Sequence, residues 1–561
     1  MDIENQQYSN STPYFSSQGV RRAQTVICKA TNAYFSHILT STSLTAEGIQ
    51  EFLPQRLLIT YFAASAVSVT SQFVKPGSEP FSSTLKENLV ADLVSCFDAA
   101  SGGFCPMPCI SSTAPPSIAM TFCALHVLDT AGALDEFMMM MTPSRRRHQH
   151  TCTQSEQNRL PVVDHDESSV SSLIKRFILR CYVPGRGFSS VIHKPLCTTS
   201  GGCQDAEVTP REACSALFGF WLVSDARREA KAKNGGDGGG GLLSSKKSYM
   251  TITASFIHEF NEGAATLGFD ADDVVKSLLG AYVPHEGAFG ACLGSSLGGG
   301  EGHSGLTFCV VVALTLLGFW TRPSQPVVSL TTTGSKISCP PSPATVLRNL
   351  IRYAYARRDH FGLDYCDDEE AEDYGDGEEE EWLVGFQGRP NKDSDTCYSF
   401  WLLSTIGIVE RVSPWCSTMD EDDNDNGMVG ADAKSIANDK KNITSSFIEW
   451  NGGCVSIEHQ VNPPTNTTTT PYISFSDSLS KFTFQTAGVE VSSDKKDCTL
   501  LRTQEEMVGL LAKCPHVDHD PVHAFLGLAG VLVHHNDEGK KEEGGRYALC
   551  EAFLKDIWGS S

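Results

Sequence analysis

The sequence has little positive charge and no long apolar run, and these two deficits exclude several classes of protein. It carries 44 Lys and Arg against 67 Asp and Glu, a formal net charge of -23. Non-specific nucleic-acid binding needs a cationic surface, so we expect no nucleic-acid partner. The longest strongly apolar run, residues 308–320, has 13 residues, whereas a bilayer-spanning helix needs about 20. We therefore predict a buried core helix there and no integral membrane protein.

The first residues also lack the basic and apolar stretches of a secretory signal. Many of the 20 cysteines stand inside apolar runs such as MTFCALHVL and LTFCVVVAL, where a thiol behaves as a small buried hydrophobe. These features predict a cytoplasmic protein with reduced cysteines. The glycine run 235–241 is not followed by Lys and Ser/Thr at the spacing of a phosphate-binding loop, so no such loop is expected there.

What the sequence does contain is a repeated unit, a glycine turn with an aromatic residue followed by an apolar helix. The clearest turns are YVPGRGF (182–188), YVPHEGAF (282–289), VGFQG (384–388) and NGGC (451–454), and amphipathic helices precede several of them. Repeated turn-plus-helix units are typical of stacked helices that share one core. The turns are followed by almost wholly apolar helices, which predicts that these helices are enclosed and form a ring around an apolar cavity.

The fold class is therefore predicted to be all-α, with one domain over residues 1–561. Low-complexity stretches interrupt the repeats, and their composition is typical of disordered surface insertions. They are about 144–166, 231–247, 324–343, 367–381, 416–442 and 462–471.

The segment GRPNKDSDTCYSFW, at the start of one apolar helix, contains several residues that could bind an anion or a metal ion. Asp395 could simply cap the helix that begins at Thr396, with Cys397 as another buried thiol. Arg389, Lys392 and the nearby Tyr398 favour a second interpretation, because a helix N-terminus with adjacent cations binds anions such as diphosphate.

A thiolate and a carboxylate beside such a clamp suggest zinc, which accepts Cys, Asp and His ligands. Two histidines at the start of apolar helices, His303 and His523, are candidates for a third ligand. The residues alone do not choose between them.

GRPNK with DTCYSFW, H-x-GLTFC and DPVHAF resemble the β-subunits of protein prenyltransferases, most of all the type I geranylgeranyltransferase that acts on CaaX proteins. The resemblance runs from about residue 24 to 556. It implies an α-α barrel of six helix pairs, zinc as cofactor, and an obligate heterodimer with a helical α-subunit. It also implies geranylgeranyl diphosphate as the donor and proteins with a C-terminal Cys-a-a-X tail, often with Leu at X, as acceptors.

The resemblance further implies roles for single residues. Zinc would be bound by Asp395, Cys397 and His523. Diphosphate contacts would come from His303, Arg389, Lys392 and Tyr398. Arg211 would lie near the peptide carboxylate, although Thr209 and Ala213 depart from the family pattern around it.

Two positions bear on the subtype. Lys513 stands where farnesyl enzymes, as the resemblance has it, carry an aspartate that holds magnesium. An ammonium group can stabilise charge on the leaving diphosphate, so magnesium is not expected to be required. Leu58 stands where farnesyl enzymes carry a tryptophan that closes the cavity, and a smaller side chain favours a twenty-carbon donor.

Three alternatives remain at this point. The chain could be a farnesyltransferase or Rab geranylgeranyltransferase β-subunit, or a non-catalytic α-α scaffold. A terpene cyclase on a similar barrel is disfavoured, because the acidic runs here are typical of insertions and not of a catalytic acid motif.

Overall fold

The computed structural model describes eighteen segments of the chain. They are residues 17–40, 56–74, 78–108, 114–142, 169–192, 208–234, 242–243, 245–291, 300–322, 341–361, 383–390, 392–417, 486–487, 489–491, 498–500, 511, 513 and 520–535.

Helices dominate the described residues, as predicted. In chain order they are α1 (Ser17–Thr40), α2 (Arg56–Val74), α3 (Ser83–Cys96), α4 (Ile118–Thr130), α5 (Leu134–Met141), α6 (Val170–Arg180), α7 (Pro210–Leu222), α8 (Asp225–Asn234), α9 (Lys246–Ala265), α10 (Ala271–Leu279), α11 (Ser304–Leu316), α12 (Pro343–Ala356), α13 (Thr396–Ser417) and α14 (Pro521–His535).

Six of these helices form a closed inner ring. Helices α2, α4, α7, α11, α13 and α14 contact one another in that order, and α14 returns to contact α2. Their sequences are apolar almost all round, which is why they are enclosed. In α11, for example, every residue except Cys309 is buried.

The ring is surrounded by a second layer of more polar helices. Five of them, α1, α3, α6, α10 and α12, each precede an inner helix and contact it or its hairpin. Between α13 and α14 the structure describes only two short strands and five further residues, 486, 487, 511, 513 and 520. The alternation of outer and inner helices confirms the predicted α-α barrel.

Among the residues that the structure describes, five two-stranded antiparallel hairpins lie in the connections between helices. They are β1 (Phe97–Asp98) with β2 (Gly103–Phe104), β3 (Tyr182–Val183) with β4 (Gly187–Phe188), β5 (Tyr282–Val283) with β6 (Ala288–Phe289), β7 (Arg358–Phe361) with β8 (Leu383–Phe386), and β9 (Val489–Val491) with β10 (Cys498–Leu500).

Four of the hairpins connect the start of an inner helix, α4, α7, α11 or α13, to the end of the outer layer before it. The Phe104 N–H donates to the Thr121 hydroxyl of α4 at 3.0 Å, and the Phe289 N–H donates to the Thr307 hydroxyl of α11 at 3.0 Å. Strands β2, β4, β6 and β8 all contact the inner helix that follows them. The N-termini of these inner helices therefore lie at the same rim of the ring.

Some predicted boundaries are wrong. The predicted insertion 231–247 overlaps α8, which runs to Asn234, and α9, which begins at Lys246. Between them Leu242 and Leu243 are buried. The composition of this stretch is as polar as that of a loop, but alanine and lysine favour helix, which is why helical residues were placed in the predicted insertion. Similarly, α12 begins at Pro343, inside 324–343, and α13 ends at Ser417, inside 416–442. The NGGC turn and the predicted insertions 144–166, 367–381 and 462–471 lie outside the described residues.

No single helix among the described residues has both the length and the apolar composition to cross a membrane. Helices α4 and α5 meet the length and composition test only as a pair, bent by 116°.

An ion pair between a buried arginine and a partly buried aspartate connects the start of α8 to the end of α4. Arg227 donates to Asp129 at 2.6 Å, and the Arg227 side chain is 5% exposed. Burial alone would raise the pKa of Asp129, but Arg227 and Lys231 outweigh it and lower the pKa to about 2. Since the pKa is lowered on folding, the stabilisation is complete above the ordinary value of 3.8 and is lost as the pH falls towards 2.

Replacing Arg227 with methionine should leave the Asp129 carboxylate, which is 24% exposed, with only Lys231 as an ionic partner and lower the free energy of unfolding by about 2 kcal/mol. Denaturant unfolding at pH 7 measures this. The matched control is Arg228→Met, because Arg228 is 60% exposed in its pair with Asp225 and surface pairs contribute little. Equal destabilisation by the two changes would contradict the prediction.

Candidate metal and anion site

Asp395 begins helix α13 and shapes the centre of the site. Its Oδ1 accepts the Cys397 N–H at 2.8 Å, and its own N–H donates to the Phe386 carbonyl at the end of β8 at 3.1 Å. The side chain is thus a helix cap, and the hairpin fixes its position. The cap uses Oδ1 and leaves Oδ2 for another contact, so the capping and metal-binding interpretations are compatible.

The structure brings His523 to Asp395 from 128 residues along the chain. Nε2 of His523 lies 3.2 Å from Oδ2 of Asp395. One potential ligand atom each from Asp395, Cys397 and His523 lies within 4.8 Å of the other two, the only such group of three or more His, Cys, Asp or Glu among the described residues. Of the two candidate histidines, His523 is therefore the one that joins the pair.

Two glycines on α14 explain how the helices come so close. A Cβ built on Gly527 would lie 3.1 Å from the Thr396 hydroxyl oxygen, and one on Gly530 would lie 3.0 Å from the Phe400 backbone nitrogen. Gly527 is about one helical turn after His523. The small residues allow α14 to approach the first turns of α13, which places His523 beside Asp395.

Asp520, which the sequence did not single out for a role, orients the histidine. Its Oδ1 accepts the Val522 and His523 N–H groups at 2.8 and 3.1 Å, and its Oδ2 is hydrogen-bonded to Nδ1 of His523. Metal-binding histidines commonly bond their other ring nitrogen to a carboxylate in this way. The signal was present in the sequence, because aspartate three residues before histidine in DPVH can both cap a helix and reach the ring.

Charges at this site favour a bound cation. Burial and Asp395 raise the pKa of the Cys397 thiol. Burial alone would lower the pKa of His523, but its hydrogen bonds to Asp395 and Asp520 raise it to about 9. A divalent cation bound to the thiol would lower its pKa instead. Cys, His and Asp form a donor set that suits zinc. The residues present therefore fit a zinc ion.

Replacing Asp520 with asparagine should weaken metal affinity 10- to 100-fold, because His523 loses its anionic partner while the helix cap is retained. Competition with a zinc-binding dye measures the affinity. Asp393→Asn, an exposed carboxylate two residues before Asp395, is the matched control and should change it less than twofold. An unchanged affinity in the Asp520 variant would show that the hydrogen bond has no role.

His303 caps α11 at the same rim. Its Nδ1 accepts the Gly305 and Leu306 N–H groups at 3.1 and 3.4 Å, which leaves the ring proton on Nε2. Burial, together with the nearby cations of Arg389 and Arg211, lowers the pKa of His303. The imidazole is therefore neutral at pH 7 and offers one N–H donor.

Tyr398 and Arg389 lie beside this histidine. The rings of His303 and Tyr398 meet edge to face with centroids 5.8 Å apart. Burial, with the nearby Cys397 and Asp395, raises the pKa of Tyr398 to about 12, so its hydroxyl keeps its proton. Arg389 is 44% exposed and pairs with Glu301 at 3.6 Å.

The remaining predicted residues are placed as follows. Lys392 is exposed in the loop before α13, and Arg211 is exposed on the first turn of α7. Lys513 is exposed, and its carbonyl accepts the Thr396 N–H at 3.0 Å, so its backbone adjoins the start of α13. Leu58 is half-buried on α2 and packs against the core.

A comparison with known protein families accords with this architecture. The family model described as "Prenyltransferase alpha-alpha toroid domain" matches residues 28–173 and 236–550. The chain belongs to the prenyltransferase α-α toroid domain family. This membership confirms the predicted fold and the predicted relation to prenyltransferases.

One named protein and one solved structure are also similar to this chain. The chain is 28% identical over 142 residues to the geranylgeranyl transferase type-1 subunit beta of Arabidopsis thaliana, a match that spans 25% of the chain and 28% of that relative's length. It also superposes on the Candida albicans protein geranylgeranyltransferase-I complexed with GGPP, with 15% identity, a TM-score of 0.44, and 91% and 92% of the two chains covered. At that TM-score the superposition supports no statement about function.

Proposed function

We propose that the chain is the catalytic β-subunit of a zinc-dependent protein geranylgeranyltransferase type I. It would transfer a geranylgeranyl group from geranylgeranyl diphosphate to the cysteine thiol of proteins with a C-terminal CaaX tail. One observation carries the proposal. Asp395, Cys397 and His523 converge at the same rim as His303, Arg389 and Tyr398. The partial match to the Arabidopsis type-1 β-subunit supports the subtype.

The zinc ligands would be Asp395, Cys397 and His523, with Asp520 orienting the histidine. When bound there, zinc supplies a Lewis acid that lowers the pKa of a coordinated acceptor thiol, so that the thiolate is available at neutral pH.

The reaction forms one bond and breaks one. The acceptor sulfur forms a thioether bond to C1 of the lipid, while the C1–O bond breaks and its electron pair leaves on the diphosphate. No proton transfer to carbon or oxygen is required of the protein once the acceptor is a thiolate. The task of the chain is therefore to stabilise the charge that grows on the leaving group.

The groups that would stabilise this negative charge lie at the rim. His303 offers its Nε2–H, Tyr398 its hydroxyl, and Arg389 its guanidinium group. Lys392 and Lys513 would add positive charge, and the Lys513 ammonium group would take the place of a magnesium ion. The lipid would extend between the inner helices towards Leu58. Arg211, exposed at the start of α7, would meet the peptide carboxylate.

The test is a transfer assay with the full chain, co-expressed with a prenyltransferase α-subunit, and a peptide ending in Cys-a-a-Leu. Donors of twenty and fifteen carbons are compared, with and without magnesium. We expect the twenty-carbon donor to be preferred at least tenfold and magnesium to have little effect. Preference for the fifteen-carbon donor with a magnesium requirement would assign a farnesyltransferase, and transfer only to Rab proteins would assign the Rab-directed enzyme. No transfer with any donor, and no bound zinc, would support a scaffold.

A further inference from the structure

Tyr353 lies on α12, in the outer layer, yet its hydroxyl reaches the rim of the inner ring. The side chain is 2% exposed. Its hydroxyl donates to the carbonyl of Gly388 at 3.3 Å and lies 3.4 Å from the hydroxyl oxygen of Ser304. Gly388 directly precedes Arg389, and Ser304 directly follows His303. One buried hydroxyl thus contacts both segments that carry proposed diphosphate contacts.

The same two segments are also bonded to each other. The Ser304 N–H donates to the Gly388 carbonyl at 2.9 Å, and the Ser304 hydroxyl donates to the Gln387 carbonyl at 3.1 Å. The first N–H of a helix has no partner within that helix, so the Gly388 carbonyl satisfies the start of α11. With the Tyr353 hydroxyl, both acceptor positions of this carbonyl are filled.

Arg389 depends on this backbone for its position. Its side chain is 44% exposed and its pair with Glu301 spans 3.6 Å. An exposed ion pair of that kind holds a long side chain weakly. What limits the reach of the guanidinium is therefore the peptide from which it projects, and that peptide is fixed by Ser304 and Tyr353.

We propose that Tyr353 is a positioning residue for anion binding. Its hydroxyl locks the Gly388–Arg389 peptide against the start of α11, so that the Arg389 guanidinium and the His303 imidazole face one diphosphate group together. The proposal rests on the proposed function, because it names what organises the diphosphate contacts of that site.

The variant Tyr353→Phe removes the hydroxyl and keeps the ring packed beside Gly302. We expect the KM for the lipid diphosphate to rise about tenfold, as for the loss of one buried hydrogen bond, and kcat at saturating donor to fall by a smaller factor, because Arg389 and His303 would also stabilise the leaving group. Binding of inorganic diphosphate, measured by calorimetry on the same heterodimer, should weaken by a similar factor. The calorimetry does not depend on turnover.

Tyr282→Phe is the matched control. Tyr282 lies on β5, in the hairpin that precedes α11. Its hydroxyl accepts a hydrogen bond from Nδ2 of Asn349 on α12 at 2.6 Å. The control should lose a hydrogen bond to the same outer helix without a change in donor KM. A similar KM rise in both variants would show a general loosening of α12 and overturn the proposal.

A double variant separates positioning from mere structure. In an Arg389→Met background, Tyr353→Phe should change the donor KM less than twofold, because the group it positions is gone. Full additivity would overturn the proposal, as would an unchanged KM and unchanged diphosphate affinity in the single variant. Absence of prenyl transfer by the wild-type heterodimer would instead refute the proposed function, and the calorimetric comparison would still decide the role of Tyr353.

Discussion

Cys397→Ala should abolish zinc binding and lower prenyl transfer at least a thousandfold. The thiol is one of three candidate ligand atoms that lie within 4.8 Å of one another, and a carboxylate with one histidine would be a much weaker site than the complete set. Zinc content by mass spectrometry and turnover with the twenty-carbon donor measure the two effects. They should fall together, because the same ion would serve both.

The matched control for this change is Cys416→Ala. Cys416 lies on the same helix and its thiol donates to the Trp320 carbonyl at 3.2 Å, far along α13 from the cap at Asp395. This variant should retain its zinc and at least half of its turnover. Turnover that survives Cys397→Ala would show that the metal assignment is wrong.

Gly388→Val should lower kcat/KM for the lipid donor about a hundredfold while zinc content stays at the wild-type level. A Cβ built on Gly388 would lie 1.9 Å from Cζ of Tyr398, so either the tyrosine ring or the backbone must move. Both carry groups that are proposed to face the diphosphate, and displacement of such groups by about 1 Å costs roughly a hundredfold in rate.

The control for the glycine variant is Gly300→Val. A Cβ built on Gly300 has no neighbour closer than 4.0 Å, and its backbone is not left-handed. Its kcat/KM should stay within threefold of the wild type. If Gly388→Val also stays within threefold, the close packing of Tyr398 on the glycine has no bearing on donor binding.

The inner ring could be predicted from the sequence because its helices are apolar on every face. The 13-residue run within 308–320 was too short for a membrane and too apolar for a surface, and α11 is buried as expected. The sequence predicted glycine turns before the inner helices, and the structure places short β-strands in YVPGRGF, YVPHEGAF and VGFQG. The turn predicted at 451–454 lies outside the described residues, and the structure describes a further hairpin at Val489–Val491 and Cys498–Leu500, a pair without glycine.

The site was less accessible to sequence reasoning. Residue types and spacing linked Asp395 to Cys397, because both lie within one helical turn, but they left His303 and His523 as equal candidates. The contact between His523 and Asp395 depends on how closely α13 and α14 approach. That approach is set by Gly527 and Gly530, whose roles appear only when the two helices are packed. Family resemblance supplied the choice, and the packing gives its physical reason.

The shared orientation of the inner helices has a consequence for the electric field of the molecule. Helices α11, α13 and α14 all begin at the same rim, where a helix start contributes roughly half a positive elementary charge. The carboxylates of Asp395 and Asp520 cap α13 and α14, whereas the neutral imidazole of His303 caps α11 and leaves that positive end uncompensated. A protein of net charge -23 thereby keeps positive potential at the start of α11, beside Arg389 and Arg211, where it can attract an anion. An anionic headgroup approaching this acidic surface would be drawn to that opening first, with its apolar chain trailing towards the interior.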